Sequence, residues 1–204
     1  MEKLSAHAWT TRTAKRCIMK SESTSLPSPA DVLAFWRAAG PGKWYTKDNA
    51  FDVEVSRRFL RLWEAAGAGE LAEWEKTDDG ALALVIVLDQ FPRNMFRSDA
   101  RTFSTDDQAL AVAERAIARG ADTRIEADLV EFLYVPFMHS ERLADQDRCI
   151  ELFRTRGRPE NLKFAEIHAD IIRRFGRFPH RNLVLGRATN AEEQAFLDTG
   201  GFAG

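Results

Sequence analysis

From residue 29 onward, apolar side chains recur every three or four positions, and the gaps between recurrences fall at Gly, Pro, Ser and Asp. That spacing lays a hydrophobic stripe along helices. "PADVLAFWRAAG" reads as a helix capped by Ser28, opened by Pro29 and closed by Gly40, with Val32, Leu33, Phe35 and Trp36 on one face. "PGKWYTKD" reads as a loop whose Asp48 caps the next helix, striped by Phe51, Val55, Phe59, Leu62 and Trp63 and stopped by Gly67 and Gly69. Leu71 and Trp74 start a short amphipathic turn. Ser104 with Asp107 imitates a capping box ahead of "QALAVAERAIARG". Residues 125–138 read as a helix bent or ended near Pro136. Ser140 caps a helix that stops at Gly157, Pro159 opens another that stops at Gly176, and Thr189 with Glu192 caps the last.

"ALALVIVL" (residues 81–88) breaks the pattern, being apolar all round, which suits a buried strand or a buried helix. "NLVL" (residues 182–185) is the one other strand candidate, too little for an independent sheet. The expectation is therefore a central buried helix within one all-α domain of about eight antiparallel helices joined by short loops. Residues 1–28 are polar, rich in Ser and Thr and without periodicity, and read as an N-terminal extension with no function of its own. The domain is expected over residues 29–204.

Composition narrows the functional classes. Lys and Arg number 29 against 31 Asp and Glu in 204 residues, a balance that argues against nucleic-acid backbone binding. No apolar run approaches the roughly 20 residues of a membrane helix. Cys17 and Cys149 form no ligand-spaced pair, which fits a reducing cytoplasm. No glycine-rich phosphate loop, nucleophile elbow or HExxH motif occurs, so no cofactor and no metal are expected.

Candidate chemistry gathers where the chain spells nearly the same turn twice, "DQFPRN" at residues 89–94 and "GRFPHRN" at residues 176–182. A buried Phe would anchor each turn and Pro would end the helix, leaving polar groups splayed at the helix end. Asp89, following pure hydrocarbon, needs a donor or a cation nearby. "PFMHSE" sets His139 and Glu141 after a third aromatic-proline break, and His168 falls on an apolar face with Phe164, Ile167, Ile171, Ile172 and Phe175.

These stretches, with Gln146, "HADII", "LGR" and "EEQAFL", resemble the bacterial domain family of unknown function DUF924 over about residues 30–202. The resemblance implies an all-helical fold akin to tetratricopeptide-like superhelices, and it implies no reaction. One expected function is a binding module for a small anionic metabolite or an acidic peptide, using Asp89, Gln90, Arg93, Asn94, Gln146, His180, Arg181 and Asn182. The alternative is a small hydrolase or transferase with His139 or His168 as general acid/base and Glu141 or Asp89 orienting it. A homodimer is left open. The structural reading of the same residues is an ion-pair network, in which Arg93, Arg97, Arg177, Arg181 and Arg187 clamp helix ends with Asp89, Asp106 and Glu141.

Overall fold

In a computed structural model, residues 25–201 are described, and the expected extension lies outside them apart from residues 25–28. Among the described residues the regular structure is all helical, with no strand. The first helix, α1 (Pro29–Ala39), carries a full capping box between Ser28 and Asp31. "PGKW" is not loop but a single helical turn, α2 (Pro41–Trp44), which Pro41 opens at its first position. Asp48 caps α3 (Asn49–Gly67) by accepting from the Ala50 and Phe51 N–H groups. A 3-10 turn over Ala72–Lys76 then leads to α4 (Asp78–Val85).

The buried run is helix, but it does not stop at the proline. From α4 the chain passes through one wide π turn (Ile86–Gln90) into α5 (Phe91–Met95), carrying Pro92 inside a continuous rod. A proline here removes the N–H that would bond the Leu88 carbonyl four residues back, and its ring crowds that carbonyl. Widening the turn relieves the crowding, with the Phe91 N–H bonding Ile86 O five residues back. The orphaned Leu88 carbonyl accepts instead from the Thr105 hydroxyl, which also accepts from Trp63 Nε1. Thr105 thus has a tertiary partner at the start of α6 (Asp106–Ala118). No side chain caps that helix, and Ser104 bonds back to Arg101 O rather than forming the expected box.

Pro136 likewise opens a helix where a bend or end was expected. Residues 130–133 form a 3-10 turn, and α7 (Val135–His139) starts afresh at the proline. Ser140 turns the chain into α8 (Leu143–Arg156) by accepting from the Arg142 N–H and donating to Asp145. Only Gly157 and Arg158 separate α8 from α9 (Pro159–Phe175), so the two pack as an antiparallel hairpin. A side chain at Gly157 would run into Phe153. Gly176 ends α9 in the left-handed conformation, φ 70°. The last capping box lies one residue later than expected, Asn190 with Glu193, and starts α10 (Ala191–Asp198).

Two apolar clusters result. The large one runs from Val32 to Ala169 and encloses residues 81–88, each at most 4% exposed. The small one holds Ile171, Ile172 and Phe178, with Phe175 and Phe196 against it.

Candidate functional site

The π turn sets Asp89 inside the protein, 1% exposed. A carboxylate there must be matched, and three groups match it. His139 Nδ1 lies 2.7 Å from Oδ1, Gln90 Nε2 donates to Oδ2 at 2.5 Å, and Arg93 Nη1 stands 3.4 Å from Oδ1. Burial alone would push the Asp89 carboxyl up, but the Arg93 charge and the bonds from His139 and Gln90 outweigh it and hold it well below the usual range. Arg93 also donates to Asp89 O at 2.6 Å and bidentately to Asp106 at 2.9 and 3.0 Å, fastening the rod to the start of α6.

His139 closes α7, and the backbone around it is pinned from α8. Fully buried Gln146 points its amide at the Phe137, Met138 and Ser140 carbonyls, at 3.3, 2.8 and 2.6 Å. Burial and the Arg93 charge depress the imidazole pKa, so His139 is neutral near pH 7. With Asp89 ionised, the proton of the neutral ring sits on Nδ1 and the lone pair on Nε2.

The second turn arrives from the other side. Phe178 is fully buried, and its N–H donates to Glu141 at 2.9 Å. Arg187 grips the same carboxylate at 2.7 and 3.0 Å. Burial opposes the ionised form, but these bonds win and Glu141 is held below its usual range. Glu141 therefore joins the α7–α8 loop to the second turn, and its hydrogen bonds come from Phe178 and Arg187.

His168 lies buried on α9, its Nδ1 donating to Phe164 O at 2.7 Å and its ring against Phe178. The inward face around it is built from Ala165, Ala169, Ile171 and Ile172 rather than the expected Phe164 and Ile167, which are 51% and 38% exposed. Small residues on that face let α9 come close to its neighbours, and the larger ones turn outward. His180 packs its ring near Phe178. Burial lowers both histidines to about 4; the Arg181 charge adds to this for His180, while the Phe164 carbonyl opposes it for His168.

Arg181 is unlike the other arginines. Arg93, Arg97, Arg177 and Arg187 each grip a carboxylate with two nitrogens, on Asp106, Asp52, Glu193 and Glu141 respectively. Arg181 is set deeper than these, its side chain 8% exposed, with its guanidinium 4.5 Å from the ring centres of both Phe103 and Phe178. Its Nη1 reaches only to 3.6 Å from Asp106, and Nε is buried without an acceptor. Among the described residues its side chain donates no hydrogen bond. Burial and the Arg93 charge pull its pKa down to about 10.

The two turns and the α7 end thus bring Asp89, Gln90, Arg93, His139, His168, His180 and Arg181 into one electrostatic neighbourhood. Asn94 and Asn182 stand outside it. Asn94 donates to Asp52 on α3, and Asn182 to Thr189 and Glu193. Gln146 supports His139 from behind. Phe103 and Thr105 had no signal as site residues, since neither lies in a motif and their roles arise from contacts across the fold. Asp106 was legible only as a network member. Among the described residues no three His, Cys, Asp or Glu side chains gather as metal ligands would, and no helix is long and apolar enough to cross a membrane.

An all-helical chain with a buried Asp–His pair beside an underpaired arginine is the class that fold and site define. Residues 32–201 match the family described as "Bacterial protein of unknown function (DUF924)", and the chain belongs to it. A solved structure, titled as that of the protein of unknown function ATU0120 from Agrobacterium tumefaciens, is 45% identical with a TM-score of 0.82. The match covers 84% of this chain and 97% of that one. No curated protein matches.

Proposed function

We propose that this protein is a cytoplasmic binding module, its helices stacked in the manner of tetratricopeptide-like hairpins, that receives a small anionic metabolite on Arg181. The observation that carries the reading is the guanidinium itself. It has five N–H donors and, among the described residues, no hydrogen-bond acceptor, although it is desolvated between two phenyl rings. A buried cation in that condition is costly for folding alone. A ligand carboxylate or phosphate supplies the missing acceptor and gains a charge-assisted bond in return. His139 and His180, both half-buried, belong to the same electrostatic neighbourhood. A single underpaired guanidinium suits one anionic group, which favours a small metabolite over an acidic peptide.

Calorimetry and thermal shift with succinate and with inorganic phosphate at low salt test the reading. A ligand at 100 times its Kd should stabilise the wild type by about 2.7 kcal/mol. Arg181→Met should abolish the effect while leaving the fold intact. Wild-type protein that neither ion stabilises would sink the proposal.

A further inference from the structure

His139 is the group in this neighbourhood with a nitrogen to spare. Its Nδ1 is taken by Asp89 at 2.7 Å, its ring is 16% exposed, and Nε2 engages none of the described residues. An imidazole fixed from behind by a buried carboxylate, with its other nitrogen outward, has the geometry of a general base. The backbone holding it is itself clamped, since Gln146 reaches carbonyls on either side of His139. That places the Nε2 lone pair on a rigid element.

Among the described residues, the hydroxyl beside His139 and the one thiol are otherwise engaged. The Ser140 hydroxyl, next in sequence, donates to Asp145 at 2.5 Å, and the Cys149 thiol is fully buried and donates to Tyr134 O at 3.8 Å. Water is the nucleophile left for such a base. Charge then restricts the substrate. Asp89, Asp106 and Glu141 balance Arg93, Arg181 and Arg187, so the site takes a carboxylate, with one charge per group, more readily than a phosphoryl group that concentrates two.

We propose that the protein hydrolyses a small ester bearing a free carboxylate, with His139 Nε2 as the base that activates water. This rests on the anion site at Arg181, which anchors the carboxylate. Nε2 takes a proton from water as the water oxygen bonds to the ester carbonyl carbon, and the carbonyl electron pair moves onto its oxygen. The positive field of Arg93, which acts on His139, favours that negative charge. The pair then returns to re-form the carbonyl, the bond to the alcohol oxygen breaks, and the imidazolium gives its proton to the departing oxygen. Ester and water become acid and alcohol, and His139 is regenerated. Asp89 stays ionised throughout and steadies the imidazolium.

The test uses the full chain with 4-nitrophenyl hydrogen succinate as charged probe, 4-nitrophenyl acetate as neutral probe, and succinate as non-reacting ligand. The wild type should turn over the charged ester in preference to the neutral one by at least about tenfold. His139→Asn should lower kcat by about 100-fold or more and still bind succinate in calorimetry. Should that variant fail to fold, carbethoxylation of wild-type protein, mapped to His139, should stop turnover, and succinate should protect against it. Succinate binding without turnover above the buffer rate overturns the hydrolase proposal and leaves the binding module standing. Unchanged turnover after loss or modification of His139 overturns it too. Absence of succinate binding removes both.

Discussion

Arg93 and Arg181 are both largely buried, and they are opposite in circumstance. Removing Arg93 strips Asp89 of its guanidinium and Asp106 of its bidentate partner inside the protein, and breaking a buried pair from one side costs about 3 to 5 kcal/mol. Removing Arg181 deletes a desolvated charge whose hydrogen bonds are not made. Arg93→Met should therefore lower unfolding free energy by about 3 kcal/mol or more, and Arg181→Met should lower it by less than about 1 kcal/mol or raise it. Urea titration of both variants checks this, and equal losses would place Arg181 among the structural clamps. The sequence showed the spelling that gathers these residues, since Phe91 and Phe178 do anchor their turns at full burial. It could not show which arginine lacks a carboxylate, because the pairing of Arg93 with Asp106 and of Arg187 with Glu141 is settled across the fold.

Prolines misled the local reading of the elements. Pro92 reads as a helix end and Pro136 as a bend or an end, yet one sits inside a rod and the other opens a helix. Local rules state what a proline removes, and tertiary contacts decide whether the loss is made good. At Pro92 the compensation has a named atom, the Thr105 hydroxyl on Leu88 O. Thr105→Val keeps the shape and takes away the donor, so it should destabilise by about 1 to 3 kcal/mol. In a Pro92→Ala background, where residue 92 regains an N–H for that carbonyl, the same substitution should cost less. A double-mutant cycle by chemical denaturation reads the coupling, and strict additivity would count against this account of the π turn. The all-helical class and the burial of residues 81–88, by contrast, follow from periodicity and composition that no single contact overrides.

The whole molecule should register its buried histidines through pH. His168 and His180 titrate at about 4 when folded, against 6.5 ordinarily, with Arg93, Arg181, His139 and Glu141 as the charges facing them. Between those two values the unfolded chain takes up protons that the folded chain refuses. Stability held above about pH 6.5 is thus lost as pH falls toward 4, by about 1 to 3 kcal/mol for each ring. The depressed carboxyls of Asp89 and Glu141 extend the loss below that window. Urea midpoints from pH 7 to 4.5 should fall for the wild type and fall less for His168→Gln with His180→Gln. An unchanged slope in that double variant would assign the effect elsewhere.

The apolar interior is divided, and the division runs through the site. Asp89, Arg93 and His139 stand on elements rooted in the large cluster, whereas Arg181 leans on Phe178, which belongs to the small one with Ile171 and Ile172. A cluster of that size ties its segment down with far less buried hydrocarbon, so the arginine-bearing half loosens at lower free energy than the half that carries the dyad. A bound anion would act as a rivet across the seam. Affinity would then answer to residues that never meet the ligand, such as Phe175 and Phe196 packed against the small cluster. Variation in α10 could retune how tightly the protein holds its ligand while every atom at the site stays the same.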